Sequence, residues 1–232
     1  MKPKGGLSPN ILAFDTSLPH VSGAVMSDAI LAERDEAMKR GQAERLMPLL
    51  EELLGEAGGT WGDLDAIAVG VGPGNFTGIR ISVSAARGLA LSLGIPAIGV
   101  SMFEALLDWD DPLSQPAELL SIEAPRGRAY IQHFSYGSAQ SAPRLIDPEA
   151  PPTDLDLPAN IIVRGFRADE IAKPHQAAFQ LVGPSRVAAH MARIAAIRLK
   201  ADGFDASARP APLYVRPADA APASDPPPVI LP

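Results

Sequence analysis

Residues 65–90, DAIAVGVGPGNFTGIRISVSAARGLA, join an apolar run to a helical one through glycines at 70, 72, 74 and 78. The run 65–71 has no polar face, as expected of a strand covered on both sides. The stretch from about 77 to 93 reads as a helix, and PAIGV, at 96–100, reads as the next strand. A strand that feeds a helix and then a second strand makes a parallel unit, so this segment commits the chain to a layered α/β architecture.

The flanking pattern narrows that choice. Residues 10–17 (NILAFDTS), 21–28 (VSGAVMSD) and 29–37 (AILAERDEA) read as three short strands with tight connections, an antiparallel meander. Leu46, Leu49, Leu50, Leu53, Leu54 and Ala57 then recur at helical spacing, with Glu44, Arg45, Glu51, Glu52 and Glu56 on the other face. Pro48 belongs in the first turn of that helix or at a kink, since a mid-helix proline costs about 3 kcal/mol. Three strands, a helix, a strand, a helix, a strand and a further helix from about Ser101 form the ribonuclease H-like order. A fainter copy follows Asp110: ELLSIEA, RAYIQHFS and APRLIDP as a second meander, ANIIVRG and FQLVG as strands, and a helix over 185–200 opened by Pro184. Two such lobes in tandem are the plan of the actin, sugar-kinase and heat-shock-chaperone ATPase superfamily. The expected division is an N-terminal lobe 1–102, a smaller C-terminal lobe 103–209 and an extended tail 210–232, where eight of 23 residues are proline.

Composition removes several functions. With no cysteine, disulfides, zinc–thiolate sites, iron–sulfur clusters and a cysteine nucleophile are excluded. There is no run of about 18 apolar residues and no signal-like start, so a cytoplasmic protein without a membrane span is expected. A formal net charge of -7 disfavours direct grip on a nucleic-acid backbone.

The candidate sites are few. The glycines of 70–78 are followed by Asn75-Phe76-Thr77 rather than Gly-Lys-Ser/Thr, they miss the dinucleotide spacing, and Pro73 removes an N–H that an anion would use. The loop therefore reads as a tight turn with Thr77 near the helix N-cap. In the helix, Gly78, Ser82, Ala86 and Ala90 form a ridge of small residues with Ala85 and Gly88 beside it. Such a ridge either packs under the protein's own sheet or meets a partner chain. Asp15-Thr16-Ser17 ends the first strand, where an actin-like enzyme holds a metal-bound phosphate. A two-metal nuclease would need further acids at neighbouring strand ends, but Asp63 and Asp65 precede their strand. The histidines at 20, 133, 175 and 190 show no i, i+4 pair, G-x-S-x-G is absent, and Glu123 is the one acid at the end of the second lobe's first strand.

ILAFDTS, ERLMPLLEELL, VGVGPGNFTGIRISVSAARGLALSLGIPAIGVS and PLYVR together resemble the TsaB (YeaZ) family. The resemblance implies two ribonuclease H-like lobes and a non-catalytic subunit of the bacterial machinery for threonylcarbamoyl modification of tRNA adenosine. Such a subunit pairs with a TsaD-like paralogue, which carries the metal and the transferase site, and helps recruit a TsaE-like ATPase. It reaches tRNA only through the complex. The family's partner contact uses the helices after the third strand and after the G-P-G loop, here Leu46, Leu50, Gly78, Ser82, Ala85, Ala86 and Ala90. Asp15, Thr16 and Ser17 would be a vestigial nucleotide site; no cofactor or metal belongs to this chain, and any ATP belongs to the complex. Homodimerisation of the isolated chain is left open. Two positions depart from the family pattern: Gln42-Ala43-Glu44 replaces its His-Ser/Thr-Glu/Gln, and Glu123-Ala124-Pro125 its Asp-Ala-Arg. The rival readings are a free-standing actin-fold ATPase or kinase using Asp15 and Thr16, and, more remotely, a metallopeptidase.

Overall fold

In the computed structural model, which describes residues 8–107 and 117–215, β1 (Ile11–Asp15) is buried along its whole length. A strand without a polar face belongs in the middle of a sheet. β2 (His20–Met26) runs antiparallel on one side of it and β4 (Ala66–Gly70) parallel on the other, with β3 (Ile30–Ala37) and β5 (Ala97–Val100) outside them, in the order β3-β2-β1-β4-β5. Alternation along the strands builds two cores. Leu12, Phe14, Val21, Val25, Ile67 and Val69 face α1 (Gln42–Glu56) and α2 (Phe76–Leu93), while Ile11, Ala13, Ala24, Met26, Ala66 and Ala68 face the opposite layer.

The second sheet repeats the plan. Its strands are β6 (Glu118–Glu123), β7 (Ala129–Ser135), β8 (Ser138–Ala139), β9 (Arg144–Ile146), β10 (Ile162–Gly165) and β11 (Ala178–Gln180), ordered β11-β10-β6-β7-β8 with β9 also on β7. β6 again lies between an antiparallel and a parallel neighbour, and the short β8 and β9 share the place that β3 holds in the first sheet. The molecule is therefore α/β, with two ribonuclease H-like lobes of the actin-like type.

Two helices depart from the sequence reading. α4 (Ala168–Ala172) covers the outer face of the second sheet through Ile171 and Ala172; its five residues are too few to show a period. α5 (Val187–Lys200), counted by sequence with the second lobe, lies on the first sheet, packing against β1, β2 and β4. Ala188, Ala192 and Ala195 let it approach closely, and it shares its core with α3 (Met102–Leu106) and with Leu120, Ile122, Tyr130 and Phe134 of the second sheet. Polar contacts fix it there: the Ala188 N–H donates to Ser22 Oγ at 3.3 Å, Arg198 Nη1 to Gly99 O at 2.6 Å, and His190 Nδ1 lies 2.9 Å from Ala105 O. The layers run α1/α2, sheet, α3/α5, sheet, α4.

α1 starts at Gln42, earlier than its leucine pattern suggests, so Pro48 falls in the second turn rather than the first. It sits on the exposed side, where the Glu44 carbonyl that loses its bond can be hydrated. Among the described residues no helix is long and apolar enough to cross a membrane. Of the proline-rich tail, 210–215 is described and 216–232 lies outside the described residues, as does 108–116 of the second lobe.

Candidate functional site

Where β1 ends, Asp15, Thr16 and Ser17 are all fully buried. Asp15 Oδ2 accepts from the Ser17 N–H at 2.9 Å and from Ser17 Oγ at 3.0 Å, and lies 2.9 Å from His20 Nε2. Its Oδ1 is buried against Gly70, where an added Cβ would stand 1.8 Å from that oxygen. Thr16 Oγ1 donates to Gly78 O at 2.6 Å. Gln42, at the start of α1, spans the turn with its amide nitrogen, within 3.2 Å of Thr16 O and 2.7 Å of both Leu18 O and His20 O. His20, which spacing gave no reason to single out, is thus the neighbour of Asp15, and the family departure at Gln42 proves to be a clamp on this turn.

The glycine-rich loop closes over the same turn. A Cβ at Gly74 would lie 2.2 Å from Ser17 O and one at Gly78 1.9 Å from Thr16 O, so both glycines exist to admit the backbone of 16–17. The Asn75 N–H donates to Ser17 O at 2.6 Å. Asn75, not Thr77, caps α2: its Oδ1 accepts from the N–H groups of Thr77 at 2.9 Å and Gly78 at 3.4 Å. The glycine-rich loop thus packs directly on the backbone of 16–17, with the Asp15 carboxylate buried beneath it. These residues do not fit a metal-bound phosphate on Asp15, and among the described residues no group of three or more His, Asp or Glu side chains is placed to hold a metal.

The small-residue ridge faces inward. Gly78, Ser82, Ala86 and Ala90 are buried, Ser82 Oγ donates to Gly70 O at 3.1 Å, and Ala86 and Ala90 pack in the core with Leu46 and Leu50. Six of the seven residues expected at a partner interface are therefore interior to the lobe, because small side chains are what let α2 lie close on β4; Ala85 is the one that is only half-buried. The outward stripe of α2 is Ser84, Arg87, Gly88 and Leu91, and Leu91 is 80% exposed.

Between the lobes lies a cleft of about 970 Å³. The first lobe contributes Ser17, Lys39 and the start of α2, the second Glu123, Arg126 and Tyr130, and the segment 213–215 lines it as well. That segment, the body of PLYVR, is strapped down: the Leu213 N–H donates to Val71 O at 2.8 Å, and Tyr214 packs on Phe76 with ring centres 5.0 Å apart. Arg80 lies over the Phe76 ring at 3.7 Å and donates from Nε to Tyr214 Oη at 3.0 Å. The motif signalled this segment, but its seat on the first turns of α2, where Tyr214 meets Arg80 134 residues away, is visible only in three dimensions.

The family model described as TsaD, tRNA N6-adenosine threonylcarbamoyltransferase, matches residues 30–202, well over half of the chain. Its curated relatives include the tRNA threonylcarbamoyladenosine biosynthesis protein TsaB of Buchnera aphidicola (subsp. Schizaphis graminum), 40% identical over 100 residues, and that of Escherichia coli K12, 40% identical over 91. The chain belongs to this family, among its TsaB (YeaZ) members. The two matches cover 43% and 39% of this chain and 48% and 39% of those relatives, so the chain spans about half the length of the curated relatives it matches, or less. A crystal structure from Pseudomonas aeruginosa, described as an uncharacterized protein with similarity to peptidase YEAZ, superposes with a TM-score of 0.71 at 25% identity, covering 90% of this chain and 100% of that one. Likeness to this YeaZ-like structure thus extends through the second lobe, beyond the stretch where the curated sequences align.

Proposed function

We propose that this chain is a non-catalytic partner subunit in tRNA threonylcarbamoyladenosine biosynthesis, assembling with a TsaD-like transferase and a TsaE-like ATPase and meeting tRNA only through them. The observation that carries this reading is the closed turn after β1. Asp15 is withdrawn from the cleft, and Gly74 and Gly78 receive the chain's own backbone instead of a ligand. An ATPase or kinase would have to open that packing before a phosphate could reach Asp15. The names of the TsaB relatives support the process, and the partners are those that the family resemblance implies. The chain's contribution would then be structural: it stabilises or activates the transferase. The outward stripe of α2, with Ala85 at its edge, offers the helix surface for that contact.

The test is a reconstituted modification reaction with TsaD, TsaE, threonylcarbamoyl-adenylate and tRNA. Adding the full chain restores product; Leu91→Glu, on the outer stripe, lowers both co-elution with TsaD and product, with circular dichroism unchanged. Asp15→Asn retains activity. Full modification without the chain, or magnesium-dependent ATP hydrolysis by the chain alone that Asp15→Asn abolishes, overturns the reading.

A further inference from the structure

The cleft between the lobes is basic although the chain is acidic. Of the charged residues lining it, Lys39, Arg80 and Arg126 are cations and Glu123 is the one carboxylate, in a chain of net charge -7. The three cations come from three separate parts of the fold: the connection after β3, the first turns of α2, and the turn between β6 and β7. None of them is ion-paired to a carboxylate among the described residues, whereas Arg34, Arg45, Arg167, Arg186 and Arg198 all are.

Arg80 is also held in one orientation. Tyr214 Oη takes its Nε–H and the Phe76 ring supports the guanidinium plane, which leaves the terminal nitrogens as a fixed fork. A fork of that kind pairs with a carboxylate at little further cost in conformational freedom. Phe76, Tyr130 and Tyr214 give the cleft aromatic walls, and at about 970 Å³ it is wide enough for an extended stretch of chain rather than a single ion.

From this geometry we propose that the inter-lobe cleft is a docking socket for an acidic, extended segment of a partner protein, with Arg80 receiving a carboxylate and Lys39 and Arg126 flanking it. The proposal rests on the partner-subunit reading and adds a second contact surface that begins where Arg80 continues the outer stripe of α2 by one turn towards the cleft. The Arg80 fork would pair with carboxylate or phosphate alike; carboxylate is the anion that an extended acidic protein segment carries, and competition with tripolyphosphate separates the two.

The experiment is a fluorescence-anisotropy titration of the full chain with fluorescein-labelled hexaglutamate at low salt. Saturable one-to-one binding is expected, weakened about tenfold by Arg80→Ala, which deletes a charge-assisted pair, and about threefold by Tyr214→Phe, which removes the hydrogen bond that orients the Arg80 guanidinium. Arg144→Ala, outside the cleft, leaves binding unchanged. Absence of saturable binding, equal losses for Arg80→Ala and Arg144→Ala, or displacement of hexaglutamate more effectively by tripolyphosphate than by unlabelled hexaglutamate, would each overturn the socket. Tyr214→Phe keeps the ring contacts, so it serves if Arg80→Ala fails to fold. Co-elution with TsaD is measured in parallel: a chain that still co-elutes but does not bind hexaglutamate refutes the socket and leaves the partner reading standing.

Discussion

After β1 the chain turns through 16–18 largely under cover; after β6 it turns through 125–128 in the open. The first turn is held by the Gln42 amide, by the Asn75 N–H and by glycines 74 and 78 pressed on its backbone. The second is braced by the Ala124 N–H on Arg128 O at 2.8 Å and by Arg167 reaching Gly127 O at 3.4 Å, and Arg126 and Gly127 both take left-handed backbone angles there. The strand order is the same in both lobes, so topology does not explain the contrast. The helices do. α2 has 18 residues and enters through glycines that let its N-terminus touch the turn; α4 has five, and Arg167 at its start is tied to Glu170 and Glu149 instead. One lobe has turned its hairpin into packing, and the other has left it facing the cleft.

The strongest way to break this comparison is Ala86→Arg. An arginine at a position with no exposure, in the core of α1, α2 and the first sheet, buries an unpaired charge at a cost of about 3–5 kcal/mol. Circular dichroism and a sizing column should show loss of fold. A folded monomer that merely fails to associate would show that the ridge is outward after all. Ala85→Arg, on the half-exposed side, should stay within about 0.5 kcal/mol of the parent.

Gly78→Ala and Gly127→Ala sharpen the comparison between the turns. A methyl 1.9 Å from Thr16 O forces backbone apart and should cost about 3 kcal/mol. At Gly127 nothing stands within 4 Å and only the positive φ of 71° resists, so about 1 kcal/mol is expected. Urea midpoints decide it. Equal effects would mean that the first turn is no more packed than the second.

What the sequence made legible follows from range. The βα unit, the meander and the leucine face of α1 are local patterns, and they fold as their periods dictate. The role of Gly74 and Gly78 was not legible, because a glycine needed for a turn and one needed for the approach of a backbone some 60 residues away look alike in the chain. The ridge on α2 was ambiguous for the same reason: small residues permit close packing on any neighbour, and only the hydrogen bond of Ser82 to Gly70 O shows that the neighbour is β4. Glu123 looked like the second lobe's counterpart of Asp15. By register, however, it is Ser121 that meets the glycine ending β10, where a Cβ on Gly165 would lie 2.0 Å from Ser121 O. α5 gave no sign of which sheet it covers, since its alanines suit either.

A smaller effect is expected at Gln42. Gln42→Ala leaves Leu18 O and His20 O without the amide donor that now lies 2.7 Å from each, and a buried carbonyl without a partner costs about 1–3 kcal/mol. Because water can enter from the cleft, which Gln42 also lines, the lower end is expected. Hydrogen exchange at 16–20 should quicken more than at 124–128. Equal acceleration of the two turns would mean that Gln42 braces the lobes together rather than its own turn.

The smallest effect separates the lobes by their surface charge. Arg45 donates to Glu36 at 2.7 Å and to Glu52 at 2.7 Å and 2.8 Å, and Arg34 pairs with Glu52 and Glu56, tying α1 to β3. The hydrogen bonds from Arg45 hold Glu52 down at about 2 and lower Glu36 as well. In the second lobe Arg167 lowers Glu170 in the same way. Carboxylates that are more acidic folded than unfolded add stability at neutral pH, and that stability is lost as pH falls from the ordinary carboxylate range towards 2. The groups are solvated, so the slope is shallow and salt should flatten it. Arg45→Gln removes the donor to Glu36 and the larger of the two influences on Glu52, which keeps Arg34, whereas Arg167→Gln releases Glu170 and Glu149. The urea midpoint between pH 5 and pH 2.5 should therefore flatten more for Arg45→Gln than for Arg167→Gln. Equal flattening, or none in either, would mean that the first lobe's extra bracing lies wholly in its buried turn and not on its surface.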